Sequence, residues 1–160
     1  MGMPDLFAAL QSFQGALSQQ IIFPQPCELA RDLVVLKDDA NGDPRLTFAI
    51  IENEIAKAIA AYLMVEHNEG LPCFQVGYAV AERFRRQGLA EEVLSKSLRE
   101  MEHGFGRHCP QFYVEAVVDQ DNAASRKVAE RVFGAAGEEI VDTFCGKPAI
   151  QFLKLVGTAV

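Results

Sequence analysis

The sequence predicts an α/β (α+β) domain, with a mixed central sheet and helices on both of its faces. Three observations predict it. Apolar runs of strand length recur at residues 45–51, 55–65, 74–80 and 111–118. Two segments with apolar residues at helical spacing, 89–103 and 122–133, each follow one of the last two of these runs, the strand–helix alternation of a layered fold. The chain of 160 residues is the size of one ordinary domain, long enough to bury about two-thirds of its unfolded surface around one core.

The elements follow in order. Leu6, Phe7, Leu10, Phe13, Ala16 and Leu17 fall on one face of a helix over residues 4–20, which Pro24 and Pro26 end. Residues 32–36 read as a short strand and 38–44 as a turn-rich loop. The strands 45–51 and 55–65 join through Glu52-Asn53-Glu54 as a hairpin, and residues 67–72 form the next loop. After the strand 74–80, the helix 89–103 places Ala90, Val93, Leu94, Ser97, Leu98 and Met101 on one face, and Gly104 and Gly106 stop it. The strand 111–118 leads to a helix that opens at Asn122 and closes at Phe133-Gly134. Strands 138–145 and 149–156 make a terminal hairpin turning at Gly146-Lys147-Pro148.

Composition narrows the function. Apolar residues make up 49% and charged residues 23%, ordinary for a globular chain, with no internal repeat or low-complexity tract. No stretch of eighteen apolar residues exists, and Pro4 and Asp5 break the layout of a signal peptide, so a cytoplasmic protein without a membrane partner is expected. Cys27, Cys73, Cys109 and Cys145 include no C-x-x-C pair, which argues for reduced thiols and against a zinc site or any other metal. The net charge of −7 argues against a nucleic-acid partner. Against that background basic residues cluster at Arg83, Arg85 and Arg86, and again at Arg126, Lys127 and Arg131.

The first basic cluster belongs to a glycine-punctuated turn, residues 83–90, that runs directly from a strand into a helix. Free amides at a helix start point outward with the positive end of the dipole, and Gly88 has no Cβ to hold a phosphate off the main chain. The turn lacks both Gly-Lys-Ser/Thr and Gly-x-Gly-x-x-Gly, which excludes a P-loop or dinucleotide fold. Downstream, a strand ends in Asp119-Gln120-Asp121-Asn122 and a helix begins. The order strand, Arg85-x-x-Gly88-x-Ala90, helix, strand, Asn122-x-x-Ser125, helix resembles the GCN5-related N-acetyltransferase (GNAT) superfamily. The wording of residues 114–125 looks most like its ribosomal-protein acetyltransferase (RimJ/RimL-type) branch.

The resemblance runs over residues 44–156 of a single domain spanning 1–160, and leaves residues 1–43 as a divergent start. It implies a mostly antiparallel sheet whose two parallel strands splay apart, and acetyl-CoA as cofactor. Val80 would offer its strand edge to the pantetheine arm, and the amides of Arg86, Gly88, Leu89 and Ala90, with Arg85 beside them, would hold the pyrophosphate. Asn122 would bond the cofactor arm and Ser125 would lie near the thioester; both also read as ordinary first-turn helix residues. Acetyl transfer to an amine needs a group to take the ammonium proton. Glu115, mid-strand beside the splay, heads the candidates, with Glu82 and Glu66 behind it.

One departure concerns the acid. Many members carry a tyrosine four residues after the serine position, where this chain has Ala129, so Ser125 is the natural substitute, with Tyr78, Tyr113 and Cys145 as further candidates. The three histidines receive no role. The expected function is transfer of acetyl from acetyl-CoA to a primary amine by direct attack, the acceptor being a small amine or a protein N-terminus and the protein a monomer or homodimer. The competing reading is a non-catalytic coenzyme A-binding sensor of the same fold.

Overall fold

The computed structural model describes residues 6–40, 42–142 and 145–157. Its described residues form one eight-stranded sheet in the order β1-β2-β3-β4-β5-β6-β8-β7. The strands are β1 Gln25–Pro26, β2 Leu33–Ala40, β3 Asp43–Glu52, β4 Ile55–Asn68, β5 Leu71–Val80, β6 Gln111–Asp119, β7 Glu138–Val141 and β8 Pro148–Gly157. Every neighbouring pair is antiparallel except β5 and β6. Among the described residues three α-helices complete the fold: α1 Leu6–Ser18, α2 Leu89–Gly104 and α3 Ala123–Phe133. The expected mixed, mostly antiparallel sheet is therefore present.

The strands distribute their side chains with period two, and this puts helices on both faces. Phe48 and Ile50 of β3, Ala58, Ala60 and Tyr62 of β4, and Phe74 and Val76 of β5 face Val93, Leu94 and Met101 of α2 and Ala129 and Phe133 of α3 in the main core. The alternate residues Ala49 and Ile59, with Ala56, meet Leu10 and Phe13 of α1 in a second, smaller core. The small side chains there admit a helix that has only two fully buried positions of its own. Gln14 fastens it to the β3–β4 hairpin, its Oε1 accepting from the Ala56 amide at 2.7 Å and its Nε2 donating to the Glu54 carbonyl at 3.2 Å.

The hairpins are tighter than the sequence suggests. The segments 38–44 and 67–72, expected as loops, are mostly strand. Arg45 and Asp38 pair across the first, at 2.9 and 2.5 Å. Glu69 (φ 50°) and Gly70 (φ 80°) turn the second, and Asn53 (φ 52°) and Glu54 (φ 63°) turn the expected β3–β4 hairpin. Two consecutive left-handed residues are the turn whose twist suits a two-residue hairpin. In each case backbone pairing extended the strands through residues whose side chains carry little strand preference.

Three further boundaries moved. The first helix stops at Ser18, before the prolines, where Gln20 turns left-handed (φ 58°) and the Ile21 amide reaches back to Ala16 O at 2.9 Å. The second runs through Gly104 into a 3₁₀ turn, Phe105–Arg107, because the Phe105 ring packs edge-on against Phe74 (5.0 Å) and Phe112 (5.1 Å). The strand expected at 138–145 ends at Val141, and its residues 143 and 144 lie outside the described residues.

One buried carboxylate ties the divergent start to this framework. Glu100 of α2 is 7% exposed and accepts the Leu29 amide at 3.2 and 3.0 Å and the Ala30 amide at 2.7 Å. Glu100→Ala leaves both amides without an acceptor and is expected to destabilise the fold by about 2–3 kcal/mol, read from the urea unfolding midpoint; an unchanged midpoint would refute this role.

Candidate functional site

The site begins where a ladder stops. β5 and β6 pair in parallel through Cys73↔Tyr113, Phe74↔Val114 and Gln75↔Glu115, and no further. Beyond that rung β5 stays paired with β4 as far as Val80, and β6 stays paired with β8 as far as Asp119. Each strand follows its outer neighbour, and a fork opens between residues 76–80 and 116–119. Both strands then turn into helices, so the N-termini of α2 and α3 stand at the mouth of the fork. Carboxyl ends of parallel strands with helix starts beside them form the crevice that α/β folds use for ligands, and both dipoles favour an anion there.

The turn into α2 leaves its amides unpaired where the sequence leads one to expect a phosphate. A short 3₁₀ turn, Glu82–Phe84, leads to Arg86 (φ 65°) and Gly88 (φ 74°), with Gln87 between them on the ordinary side of φ. Alternation of this kind gathers successive N–H groups into a concavity. Among the described hydrogen bonds, none is donated by the amides of Arg86, Gly88, Leu89 or Ala90. A Cβ built on Gly88, the N-cap of α2, meets no protein atom within 4 Å. Only the backbone angle and whatever occupies that space constrain the residue. The cradle therefore fits the pyrophosphate expected from the sequence.

The arginines divide their work. The Arg85 guanidinium lies over the Phe7 ring of α1 at 5.2 Å, and Arg83 lies over Phe84 at 4.8 Å. Arg86 is exposed and makes no ion pair among the described residues. In the second basic cluster Arg131 pairs with Glu91 of α2 at 3.7 Å and Arg126 Nη1 donates to the Gln120 carbonyl at 3.2 Å.

At the start of α3 the cap reading of Asn122 is realised: its Oδ1 accepts from the Ser125 amide at 3.1 Å. The Ser125 hydroxyl makes no hydrogen bond among the described residues, while its carbonyl accepts the Tyr78 hydroxyl at 2.7 Å. That bond braces α3 against the forked part of β5. Burial pushes the Tyr78 hydroxyl well above the usual tyrosine range. A strut of such weak acidity is a poor proton donor. Tyr113 donates instead to Glu69 at the β4–β5 turn, at 2.8 Å, and Cys145 is exposed in the β7–β8 turn. Ala129 is fully buried on the inner face of α3.

Glu115 stands on the last rung of the ladder. Its neighbours Val114 and Ala116 enter the core beneath α2 and α3, so Glu115 faces the opposite side of the sheet. There it lines a groove of about 920 Å³ with Gln75, Cys73, Gln151, Val117 and Leu153. Gln151 Nε2 donates to Glu115 Oε2 at 2.8 Å and fixes the carboxylate's direction. Burial first, and the Glu115 charge second, push the Cys73 thiol up to about 11. Glu66, His67 and Asp142 also line the groove. Glu66 is exposed, and Glu82 is exposed on the 3₁₀ turn. Sequence reasoning passed over Gln75, Gln151 and His67; the only trace of the first two is a glutamine on one side of an otherwise apolar strand.

Two expectations follow from this geometry. Gly88→Ala strains a left-handed backbone and costs about 1 kcal/mol or more of stability, measurable by thermal unfolding, with no steric clash in the protein. The rate of Cys73 alkylation by iodoacetamide is expected to reach half its maximum toward pH 11, and this profile to shift to lower pH in Glu115→Gln, because removing a like charge eases thiolate formation. An unmoved profile would break the link between the two side chains.

Comparison with known proteins agrees with this arrangement. A profile described as an Acetyltransferase (GNAT) domain matches residues 4–132, which includes most of the start that the motifs left out. No curated protein matches the sequence. Among solved structures, Mycobacterium smegmatis RimJ in complex with CoA-disulfide superposes with a TM-score of 0.57 at 20% identity, covering 72% of this chain and 54% of that one. The ribosomal-protein-S5-alanine acetyltransferase from Vibrio fischeri gives 0.56 at 14%, covering 71% and 61%. The Escherichia coli ribosomal-protein-S18-alanine N-acetyltransferase gives 0.51 at 22%, covering 72% of each. The chain thus spans roughly half to three-quarters of the length of these neighbours. The matched profile, over a sheet with a forked parallel pair, makes the chain a member of the GNAT acetyltransferase family, whose members draw their acetyl group from acetyl-CoA.

Proposed function

We propose that the protein transfers an acetyl group from acetyl-CoA to a primary amine by direct attack of the amine on the thioester. The observation that carries this reading is the placement of Glu115 on the final rung of the β5–β6 ladder, with the amides of the phosphate turn and the start of α3 at the mouth of the same fork. Bound acetyl-CoA supplies an acyl group already activated as a thioester. The chain's own residues do the rest.

The amides of Arg86, Gly88, Leu89 and Ala90 bind the pyrophosphate, and Arg86 adds charge. Val80, paired with Ala58 on one side, offers its other edge to the pantetheine amides. Asn122 holds the first turn of α3 and keeps its side-chain Nδ2 for the cofactor arm, since its Oδ1 is taken by Ser125. Glu115, oriented by Gln151, takes a proton from the ammonium at Oε1 or Oε2 and leaves the amine neutral. The Ser125 hydroxyl, without a hydrogen-bond partner among the described residues, gives its proton to the sulfur side of the fork and regains one from the acylated nitrogen. Fixing the two reactants in contact contributes an advantage of up to about 7–11 kcal/mol in ideal geometry.

The acceptor class follows from charge. The titratable groups lining the groove are Asp43, Glu66, His67, Cys73, Glu115 and Asp142, with no lysine or arginine among its lining residues. Such a surface draws in a cation. A small amine and a protein N-terminus both fit this description, and the structural neighbours include enzymes named for each, a spermidine N-acetyltransferase chimera and the alanine acetyltransferases. The buried Ala129, where many relatives carry a tyrosine, favours the second reading, a coenzyme A-binding sensor without transfer.

Calorimetry with acetyl-CoA and thiol release with spermidine and an alanine-led hexapeptide separate these readings. Binding with thiol release from one acceptor is the expected outcome, and binding without any release would favour the sensor. Gly88→Glu is expected to lose acetyl-CoA binding at least a hundredfold while keeping the wild-type far-UV spectrum, because a carboxylate enters the cradle; tight binding would dismiss the site. Glu115→Gln is expected to spare cofactor affinity and lower kcat by about 10²–10⁴, and unchanged turnover would remove Glu115 from the mechanism.

A further inference from the structure

Gln75 is a residue of the groove that neither the family motifs nor the reaction above accounts for. It lies opposite Glu115 on the final β5–β6 rung, so the two side chains leave the same face of the sheet side by side. Gln75 is 6% exposed, and its Oε1 is buried with no hydrogen-bond partner among the described residues. Buried amide oxygens are nearly always satisfied, and an orphan demands an explanation. Glu115 is served from the β8 side by Gln151. On the β5 side, Gln75 lines the same groove, and no donor among the described residues reaches its Oε1.

We propose that Gln75 is a specificity-determining residue for the acceptor nitrogen: its side-chain oxygen accepts one N–H of the attacking amine while Glu115 accepts the other. This deepens, and rests on, the reading of the groove as the amine site. A neutral primary amine has two N–H groups and one lone pair. Two acceptors on adjacent strands, Gln75 Oε1 and a Glu115 oxygen, use both hydrogens and leave the lone pair free to attack. A secondary amine has one hydrogen fewer and leaves one of these buried oxygens unpaired, which works against it in the manner of any site built to bond a group that the competitor lacks. The chemistry selected is therefore a primary amine over its own N-methyl derivative.

The pairing also accounts for the glutamine's neutrality. A carboxylate at position 75 would place a second negative charge beside the bound amine and hold it as an ammonium, hampering release of a neutral nucleophile. An amide accepts a hydrogen bond without adding that charge.

Gln75→Met removes the oxygen and keeps the length of the side chain. With saturating acetyl-CoA, kcat/KM for the primary amine should fall by about tenfold to a hundredfold, chiefly through KM. The preference for an alanine-led hexapeptide over its N-methylalanine counterpart, or for spermidine over its terminally N-methylated form, should fall toward unity. Acetyl-CoA affinity should be unchanged, and the melting temperature should be equal or higher, since the variant no longer buries an unpaired oxygen. Gln75→Asn, which restores an amide oxygen on a shorter stem, should recover part of the preference for the primary amine.

A second readout does not depend on turnover. The Gln75 side-chain amide resonance, identified by its loss in Gln75→Met, should shift on titration of the wild-type protein with spermidine or the hexapeptide. If neither probe releases thiol from the wild type, the transferase reading fails, and this titration alone decides the role of Gln75. A resonance unmoved by both probes overturns the proposal. So does a variant that keeps its KM and its primary-amine preference, or one that loses stability without losing either.

Discussion

The site depends on a hydrogen-bond ladder three rungs long. Parallel strands normally continue side by side while both have residues left, yet β5 and β6 part after Gln75↔Glu115 because each is bound more extensively to an antiparallel neighbour. β5 makes nine registered pairs with β4 and β6 makes nine with β8, against three between themselves, and the stronger attachments set the two directions. Everything chemical lies at or beyond that point. The fork exposes strand edges, aims two helix starts at one opening and joins the two faces of the sheet through the gap. Tyr78 keeps it braced by tying the forked strand to the first turn of α3.

Much of this was legible in the sequence, for identifiable reasons. The helix over Leu89–Gly104 carried its apolar residues at the helical period and began at a glycine whose positive φ only glycine adopts cheaply. Asn122 and Gly134 bracketed α3 as cap and stop, and both serve so in the structure. The two loops read at 38–44 and 67–72 were obscured because turn-forming Asn, Gly and Pro recur in both, with three aspartates in the first; cross-strand pairing, which a single segment cannot reveal, carried the strands through. The N-terminal helix was visible as a pattern, but its landing place was not, since it depends on alanines from three strands meeting on one face.

The candidate site was legible in proportion to how local its signals were. Gly88, Leu89 and Ala90 work through backbone amides at a turn, a feature that four or five consecutive residues define. Glu115 stood out as a carboxylate within an apolar strand. Gln75 and Gln151 left almost no trace, because each acquires meaning only from the residue beside it on another strand, Glu115 in both cases. A glutamine is also uncharged, so it raised none of the objections that a buried carboxylate raises. The serine of the α3 start fell between these extremes: its position was visible, and its unpartnered hydroxyl was not.

The margins of the sheet carry a consequence of a different kind. One outer strand, β1, is two residues long and includes Pro26, which has no N–H to offer; the other, β7, is four residues long and begins with Glu138 and Glu139. Strands at a margin invite pairing with another chain, and short length, proline and like charge each discourage it. Two copies meeting margin to margin would bring four glutamates together at one end and find almost no backbone donors at the other. Assemblies built by adding sheet to sheet are therefore disfavoured, and the protein can hold an open fork of unpaired strand edges in its interior without offering the same temptation at its borders.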